Sequence, residues 1–258
     1  MEGAIDMIAA AKTQVEPGIY RSMPDAEYRA IDALSNSDLV AWAKGEQDKG
    51  IDPRNAIFGT AFHGIVLEPE VAKQKLVCLE PKQKRASYDG PDDMWVLTNS
   101  EYAKLMGCYH TVSGNKAAGI EPHPQLGPLM KLARSSRGNC EVVVVWIDER
   151  SGIKCKAKID QITDNAVYDW KTTNSEPDSF SYSIGAFMYF VQAAHYLIGA
   201  KMCGVEVENF RFACVSKRKD KGHVGWIQEV SPDLMSAGIK TREILLGLYA
   251  KEQNNENQ

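Results

Sequence analysis

No stretch of this 258-residue chain comes near the roughly 18 consecutive apolar residues that a membrane-spanning helix needs. Its first residues, MEGAIDMIAAAKTQ, lack the basic start and apolar core of a signal peptide, so cytoplasmic residence without a membrane partner is the expectation. The six cysteines (Cys78, Cys108, Cys140, Cys155, Cys203 and Cys214) include no CxxC pair, which sets zinc and iron–sulfur sites aside and leaves scattered reduced thiols. No basic excess is present either. With 30 Lys and Arg against 34 Asp and Glu the net charge is −4, which taken alone argues weakly against a nucleic-acid partner. Internal repeats are also missing.

What is there is ordinary globular material, 44% hydrophobic and 25% charged, in a length that suits one sizeable α/β domain better than two. The basic residues cluster: Lys82, Lys84 and Arg85; Lys154, Lys156 and Lys158; and Lys217, Arg218, Lys219 and Lys221. A charge run is most often a solvated face, but three clusters near acidic candidates keep a phosphate partner in view.

Residues 1–33, punctuated by Pro17-Gly18 and Pro24, read as an N-terminal arm, 34–250 as a single domain and 251–258 as a polar tail. Ser35 followed by Asp38 and then Leu39, Val40 and Trp42 predicts a capped helix start. Further helices are predicted over 56–67, 101–118, 126–134, 180–202 and 232–250, with a charged mobile loop over 81–93. Strands are predicted at 141–147, 153–161, 166–172, 210–216 and 225–230. The order α, β-meander, α, β, α indicates a mixed α/β sheet domain.

The segment 153–161 alternates: Ile153, Cys155, Ala157 and Ile159 point one way, and Lys154, Lys156, Lys158 and Asp160 the other. If Asp164-Asn165 is a two-residue hairpin turn, Thr163 pairs with Ala166, and Asp160 then stands opposite Asp169. Like charges so placed repel, so a cation is expected between them; Mg²⁺, with Mn²⁺ as a substitute, suits carboxylates, water and phosphate oxygens. Lys171 leaves the same face two residues beyond Asp169 and is placed to orient water or steady a phosphorane-like transition state. Glu141 opens the preceding strand and offers a further carboxylate. The plain alternative is a solvent-facing hairpin of surface ion pairs, since D-x-K is a short string.

CKAKID, followed after a turn by AVYDWKTT, resembles the catalytic hairpin of the PD-(D/E)XK nucleases, and in particular their RecB-type exonuclease branch. FGTAFHGIVLEPE resembles that branch's histidine helix, FVQAAHYL its Q-x-x-x-Y helix and LSNSDLVAWAK its early S-x-S helix, all in chain order. The span 34–200 is most similar to the exonuclease VIII (RecE-type) nucleases and their phage relatives. The resemblance implies a restriction-endonuclease-like α/β core, a mixed central sheet with an antiparallel catalytic hairpin flanked by helices. It makes Asp160 and Asp169 metal ligands, Lys171 the catalytic lysine, His63 a further ligand and the Trp170 carbonyl a backbone ligand. Gln192 and Tyr196 become cleft residues. Lys154, Lys156 and Lys158, with Ser35 and Ser37, are DNA-contact candidates, although the two serines read first as helix caps and only second as phosphate contacts. Tyr182, Phe187 and Tyr189 are expected in the core.

The implied activity is Mg²⁺-dependent hydrolysis of linear double-stranded DNA from a 5′ end, leaving 3′ single strands for a recombination partner such as a strand-annealing recombinase. A ring-shaped homo-oligomer is implied with it, in which lysines concentrated on a channel wall would let an acidic protein hold DNA. An endonuclease or single-strand nuclease of the same superfamily, and a non-catalytic DNA-binding protein on a vestigial nuclease fold, are the alternatives.

Overall fold

Four consecutive valines and a tryptophan in Cys140–Ile147 make a strand that has to be covered on both faces. In the computed structural model, which describes residues 12–46 and 53–256, this strand lies inside a six-stranded sheet. The elements are β1 (Gly18–Tyr20), α1 (Asp25–Ala30), α2 (Asn36–Ala43), α3 (Pro53–Leu67), α4 (Pro69–Lys75), β2 (Leu76–Cys78), β3 (Trp95–Leu97), α5 (Asn99–Ser113) and α6 (Leu126–Ser135). They continue with β4 (Cys140–Ile147), β5 (Lys154–Ile162), β6 (Ala166–Thr173), α7 (Phe180–Ala186), α8 (Tyr189–Met202), β7 (Asn209–Ser216), β8 (Gly225–Glu229) and α9 (Pro232–Glu256).

The sheet order is β1-β4-β5-β6-β7-β8, antiparallel throughout except for the parallel pair β6–β7; β2 and β3 form a separate parallel pair. One face carries α2, α7, α8 and α9 over Val142, Val144, Trp146, Ile159 and Phe212. The other carries α3, α5 and α6 over Tyr168, Trp170, Ala213 and Val215. Val143 and Val145 on that second side are covered instead by residues of the N-terminal stretch, among them Tyr28 and Ile31. This is the mixed, helix-flanked sheet the sequence predicts, and among the described residues no helix is long and apolar enough to cross a membrane. All six cysteines are free thiols.

Several predicted boundaries move, each for a local reason. The stretch expected to be an arm is part of the fold: β1 is the edge strand on β4, while residues 1–11 lie outside the described chain. The stretch expected to be a mobile loop is tied down by Arg85, which donates to the Val96 carbonyl at 2.9 Å and to Glu101 at 2.9 Å. The single helix predicted over 180–202 breaks into α7 and α8 because Met188 takes a left-handed backbone, φ 54°. At the C-terminus, α9 runs on to Glu256 through residues assigned to the polar tail.

A buried polar network fastens α9 to the sheet. Arg242, 1% exposed, donates to Asp148 at 2.8 Å and to His195 Nδ1 at 3.2 Å. Burial and the Arg242 charge push the His195 pKa down to about 3, so the ring is neutral and its Nε2–H donates to the Lys156 carbonyl at 3.1 Å. Close backbone approach completes the join: a Cβ added at Gly238 of α9 would stand 2.2 Å from the Phe190 carbonyl oxygen of α8. Backbone cannot yield as a side-chain tip can. Gly238→Ala is therefore expected to destabilise the protein by about 1–3 kcal/mol through overpacking, read as a lower urea midpoint at unchanged slope; an unaltered midpoint would contradict this packing account.

Candidate active site

The hairpin between β5 and β6 has the predicted register. Gln161 pairs with Tyr168 and Ile162 with Val167, closed by the Thr163 N–H donating to the Ala166 carbonyl at 2.9 Å. There the ladder ends. The next step brings Asp160 opposite Asp169, and the Asp160 carboxylate enters the gap, Oδ2 accepting the Trp170 backbone N–H at 2.7 Å. The neighbouring ladder is interrupted at the same level. Cys140 pairs with Gln161 and Val142 with Ile159, while Glu141 between them has φ 50°. A non-glycine residue in that region is held there by its surroundings at a cost of about 1–3 kcal/mol. The face alternation breaks too: Ile159 packs under α8, whereas Gln161 accepts from Trp170 Nε1 and donates to the Leu129 carbonyl on the opposite side.

Through this opening the two faces of the sheet meet. From α3, the His63 Nε2–H donates to the Trp170 carbonyl at 2.6 Å. Its Nδ1 is then left facing Asp160 Oδ1 at 3.6 Å and Glu141 Oε1 at 4.0 Å. One ligand atom from each of His63, Glu141 and Asp160 lies within 4.8 Å of the others. The second Glu141 oxygen sits 2.9 Å from Lys158 Nζ, which also lies 3.6 Å from Asp25. On the α8 side, Asp169 is 2% exposed. Oδ1 accepts from Gln192 Nε2 at 2.7 Å, and Oδ2 lies 2.7 Å from Lys171 Nζ. Lys171 rests 4.8 Å from the Tyr189 ring centroid, and Gln192 also hydrogen-bonds Tyr196.

The charges here are crowded. Burial raises the Asp160 pKa to about 7, with Asp169 and Glu141 adding to the shift against the opposing pull of His63 and Lys171. Burial works against a charged His63, but the three surrounding carboxylates outweigh it and its pKa rises. Lys171 behaves likewise: burial opposes its charge, while Asp169, Tyr189 and Asp160 hold it firmly protonated. An acid drawn so far upward among other acids is a group short of cation. One imidazole nitrogen with carboxylate oxygens is a donor set that suits Mg²⁺ or Mn²⁺, and the His63 bond to a backbone carbonyl is the usual orientation of a metal-binding ring. The residues present fit a divalent cation.

Of the predicted site residues, His63, Glu141, Asp160, Asp169, Trp170, Lys171, Gln192 and Tyr196 are brought together. The two aspartates are opposed as expected, but they engage separate partners. Glu141 joins His63 and Asp160, Asp169 is tied to Lys171 and Gln192, and the Trp170 carbonyl accepts from His63.

Within the lysine stripe, Lys156 is a correction. Lys156 is 5% exposed and donates to the Tyr28, Arg29 and Ile31 carbonyls at 3.1, 3.4 and 2.8 Å, satisfying the open end of α1. It has no path to phosphate. Lys158 belongs to Glu141, and Lys154 Nζ lies 3.4 Å from Gln14. Ser35, 6% exposed, is a cap: its Oγ accepts from the Asp38 N–H at 3.2 Å while its own N–H donates to Asp38, and Ser37 Oγ stands 3.0 Å from it. Of the three aromatics expected in the core, Tyr189 packs against it, but Tyr182 and Phe187 are exposed.

Sequence reasoning missed Glu68, which follows α3 and whose pKa is raised first by burial and then by Glu141. Its only signal is an acid one and a half turns beyond His63. It also missed the ion-pair role of Lys158, hidden because the left-handed backbone at Glu141 leaves no mark in the string.

A family described as a PDDEXK-like domain of unknown function (DUF3799) matches residues 26–258. No curated protein matches the sequence. Among solved structures, the fold is similar to that of a protein from Eubacterium rectale described as a "putative exonuclease", with TM-score 0.53 and 14% identity over 83% of this chain and 73% of that one.

Asp160 and His63 both bind protons more tightly folded than unfolded, so their contribution to stability is complete at low pH and disappears as pH rises. In chelator, the melting temperature is expected to fall between about pH 4 and pH 8. Mg²⁺ should restore stability at the upper end far more than at the lower, and Asp160→Asn should flatten the profile. A wild-type curve that stays level across this window would refute the cation-deficient reading.

Proposed function

The chain belongs to the PDDEXK-like family, and from that premise we propose that it is a metal-dependent DNA nuclease. Within that class we infer an exonuclease that degrades linear double-stranded DNA from a 5′ end and leaves 3′ single strands. The observation that carries the nuclease reading is the meeting of His63, Glu141 and Asp160 with the Asp169–Lys171 pair at one break in the sheet. Support for the exonuclease half is the sequence likeness, centred on His63, Gln192 and Tyr196.

His63, Glu141 and Asp160 would hold the cation, with Asp169 beside them. When bound, it supplies Lewis-acid polarisation of the phosphate and a more acidic water. The chain's own groups do the rest. Asp169, gripped by Gln192, fixes the Lys171 ammonium, and the Tyr189 ring limits its swing. Lys171 is held protonated, so its part is to stabilise negative charge gathering on the phosphoryl oxygens as water adds in line and the bridging P–O bond breaks. Glu141, locked by Lys158 and its own backbone, keeps its free oxygen on the site without rearrangement. Assembly into a ring around duplex DNA, and hand-over to an annealing recombinase, belong to the same proposal. With Lys156 buried, the lining of such a ring would come from other residues.

The test is degradation of linear against covalently closed circular duplex DNA with and without Mg²⁺. Linear DNA alone should disappear, and only with the metal. Lys171→Ala should slow this about 10²–10³-fold, the loss typical of one transition-state charge partner. Cleavage of the closed circle would move the protein to the endonucleases, and an unimpaired Lys171→Ala would remove the site assignment. Release of label from a 5′ rather than a 3′ end fixes polarity.

A further inference from the structure

Phe187 stands where the sequence pattern calls for a core residue. It follows Ser183 by four positions and Ile184 by three, and both are buried on the inner face of α7. Continued helix would bury it with them. Instead the chain breaks: the Phe187 N–H still donates to the Ser183 carbonyl at 3.0 Å, and then Met188 turns to φ 54°. Phe187 is left 58% exposed. An aromatic side chain of that size in water, at a strained joint, forfeits burial that an unbroken helix would have given it.

Its surroundings indicate what covers it. The Phe187 ring lies 5.5 Å from the Tyr189 ring at 32°, and the Tyr189 ring lies 4.8 Å from Lys171 Nζ. The exposed ring is thus joined to Lys171 by one intervening ring. The basic turn after β7 borders the same end of the sheet. Lys217 N–H donates to the Thr173 carbonyl at 2.7 Å, and Arg218 reaches Glu176, just ahead of α7, at 3.2 Å. Lys219 and Lys221 are exposed on that turn. A flat aromatic surface, beside a phosphate-binding lysine and near a basic edge, is the combination that holds unpaired nucleotides, by stacking and by charge.

Resting on the nuclease reading, we propose that Phe187 is a stacking platform for an unpaired nucleobase adjacent to the phosphate at the Asp169–Lys171 site. The substrate class follows: the end of a linear duplex whose terminal bases have separated, so that the strand to be cut reaches the site unpaired. The left-handed turn at Met188 is what presents the ring.

The experiment uses the full-length protein with Ca²⁺ in place of Mg²⁺ and a short duplex whose end is frayed by mismatches, with 2-aminopurine among the unpaired bases. Wild-type protein should quench the probe by stacking. Phe187→Ala should lose the quenching and bind the frayed duplex roughly 5- to 150-fold more weakly, the range for one stacked base. Phe187→Tyr should retain both, and Tyr182→Ala, more exposed but outside this chain of contacts, should behave as wild type. Calorimetric Mn²⁺ binding by Phe187→Ala should stay unchanged, showing an intact site. Equal quenching and affinity in Phe187→Ala overturns the platform while leaving the nuclease reading standing. So does a variant whose only defect is a changed oligomeric state. A wild-type protein that binds no DNA overturns both.

Discussion

The Asp160 carboxylate takes the place of a strand in the hydrogen-bond ladder, and the rest of the site depends on that substitution. Regular pairing would carry β5 and β6 past each other with every backbone group satisfied and no room between them. Here pairing stops after Gln161–Tyr168, and the Trp170 N–H, which would otherwise be orphaned in the interior, finds a side-chain oxygen at 2.7 Å. The exchange is sound locally, because a charged acceptor on a backbone N–H makes a strong hydrogen bond. Its consequence is an opening in the sheet through which His63, from one helical layer, and Asp169 and Lys171, backed by the other, reach the same small volume.

Gathering acids in so dry a place has to be offset, and the chain does so incompletely. Lys158 serves Glu141 and Lys171 serves Asp169, while Asp160 shares His63, takes a backbone donor and draws on Lys171 without an ion pair of its own among the described residues. A second buried network, joined to β5 at the Lys156 carbonyl, shows what complete compensation looks like. Arg242, Asp148 and His195 form a closed network in which the histidine is kept neutral. Both clusters are buried and charged, but one is balanced and serves to hold α9 against the sheet. The other is left wanting positive charge, which separates a binding site from a structural lock.

The hairpin was legible because its turn chemistry sets register, and register sets which residues oppose. Asp160, Asp169 and Lys171 could be placed together from the string alone, and the helices bearing His63 and Gln192 followed by likeness. Two kinds of feature were not legible. One is any break in a regular period. Nothing in EVVVVWI announces that Glu141 takes φ 50°, and nothing in FSYSIGAFMYF announces the turn at Met188, because tertiary packing rather than local propensity selects those conformations. The other is the fate of a polar side chain that points off a strand. The lysines of CKAKID alternate as a solvated face should, yet an additional segment, residues 28–31, lies over that face and turns Lys156 into a buried donor to backbone carbonyls.

That cover also relocates the question of how an acidic chain would hold a polyanion. Net charge of −4 is a sum over surfaces that do not act together, and burial takes Lys156 out of the exposed positive charge. Because β6 and β7 run parallel, they leave the sheet at one end, carrying Lys171, Thr172 and Thr173 on one strand and the basic turn that follows Ser216 on the other. Positive charge is thus placed by topology beside the break in the sheet. Field from a few exposed cations next to a low-dielectric cleft outweighs a diffuse negative balance elsewhere, within a screening length of about 8 Å at physiological salt. On the nuclease reading, the polarity that matters is that of one sheet end, and it is opposite to the polarity of the whole chain.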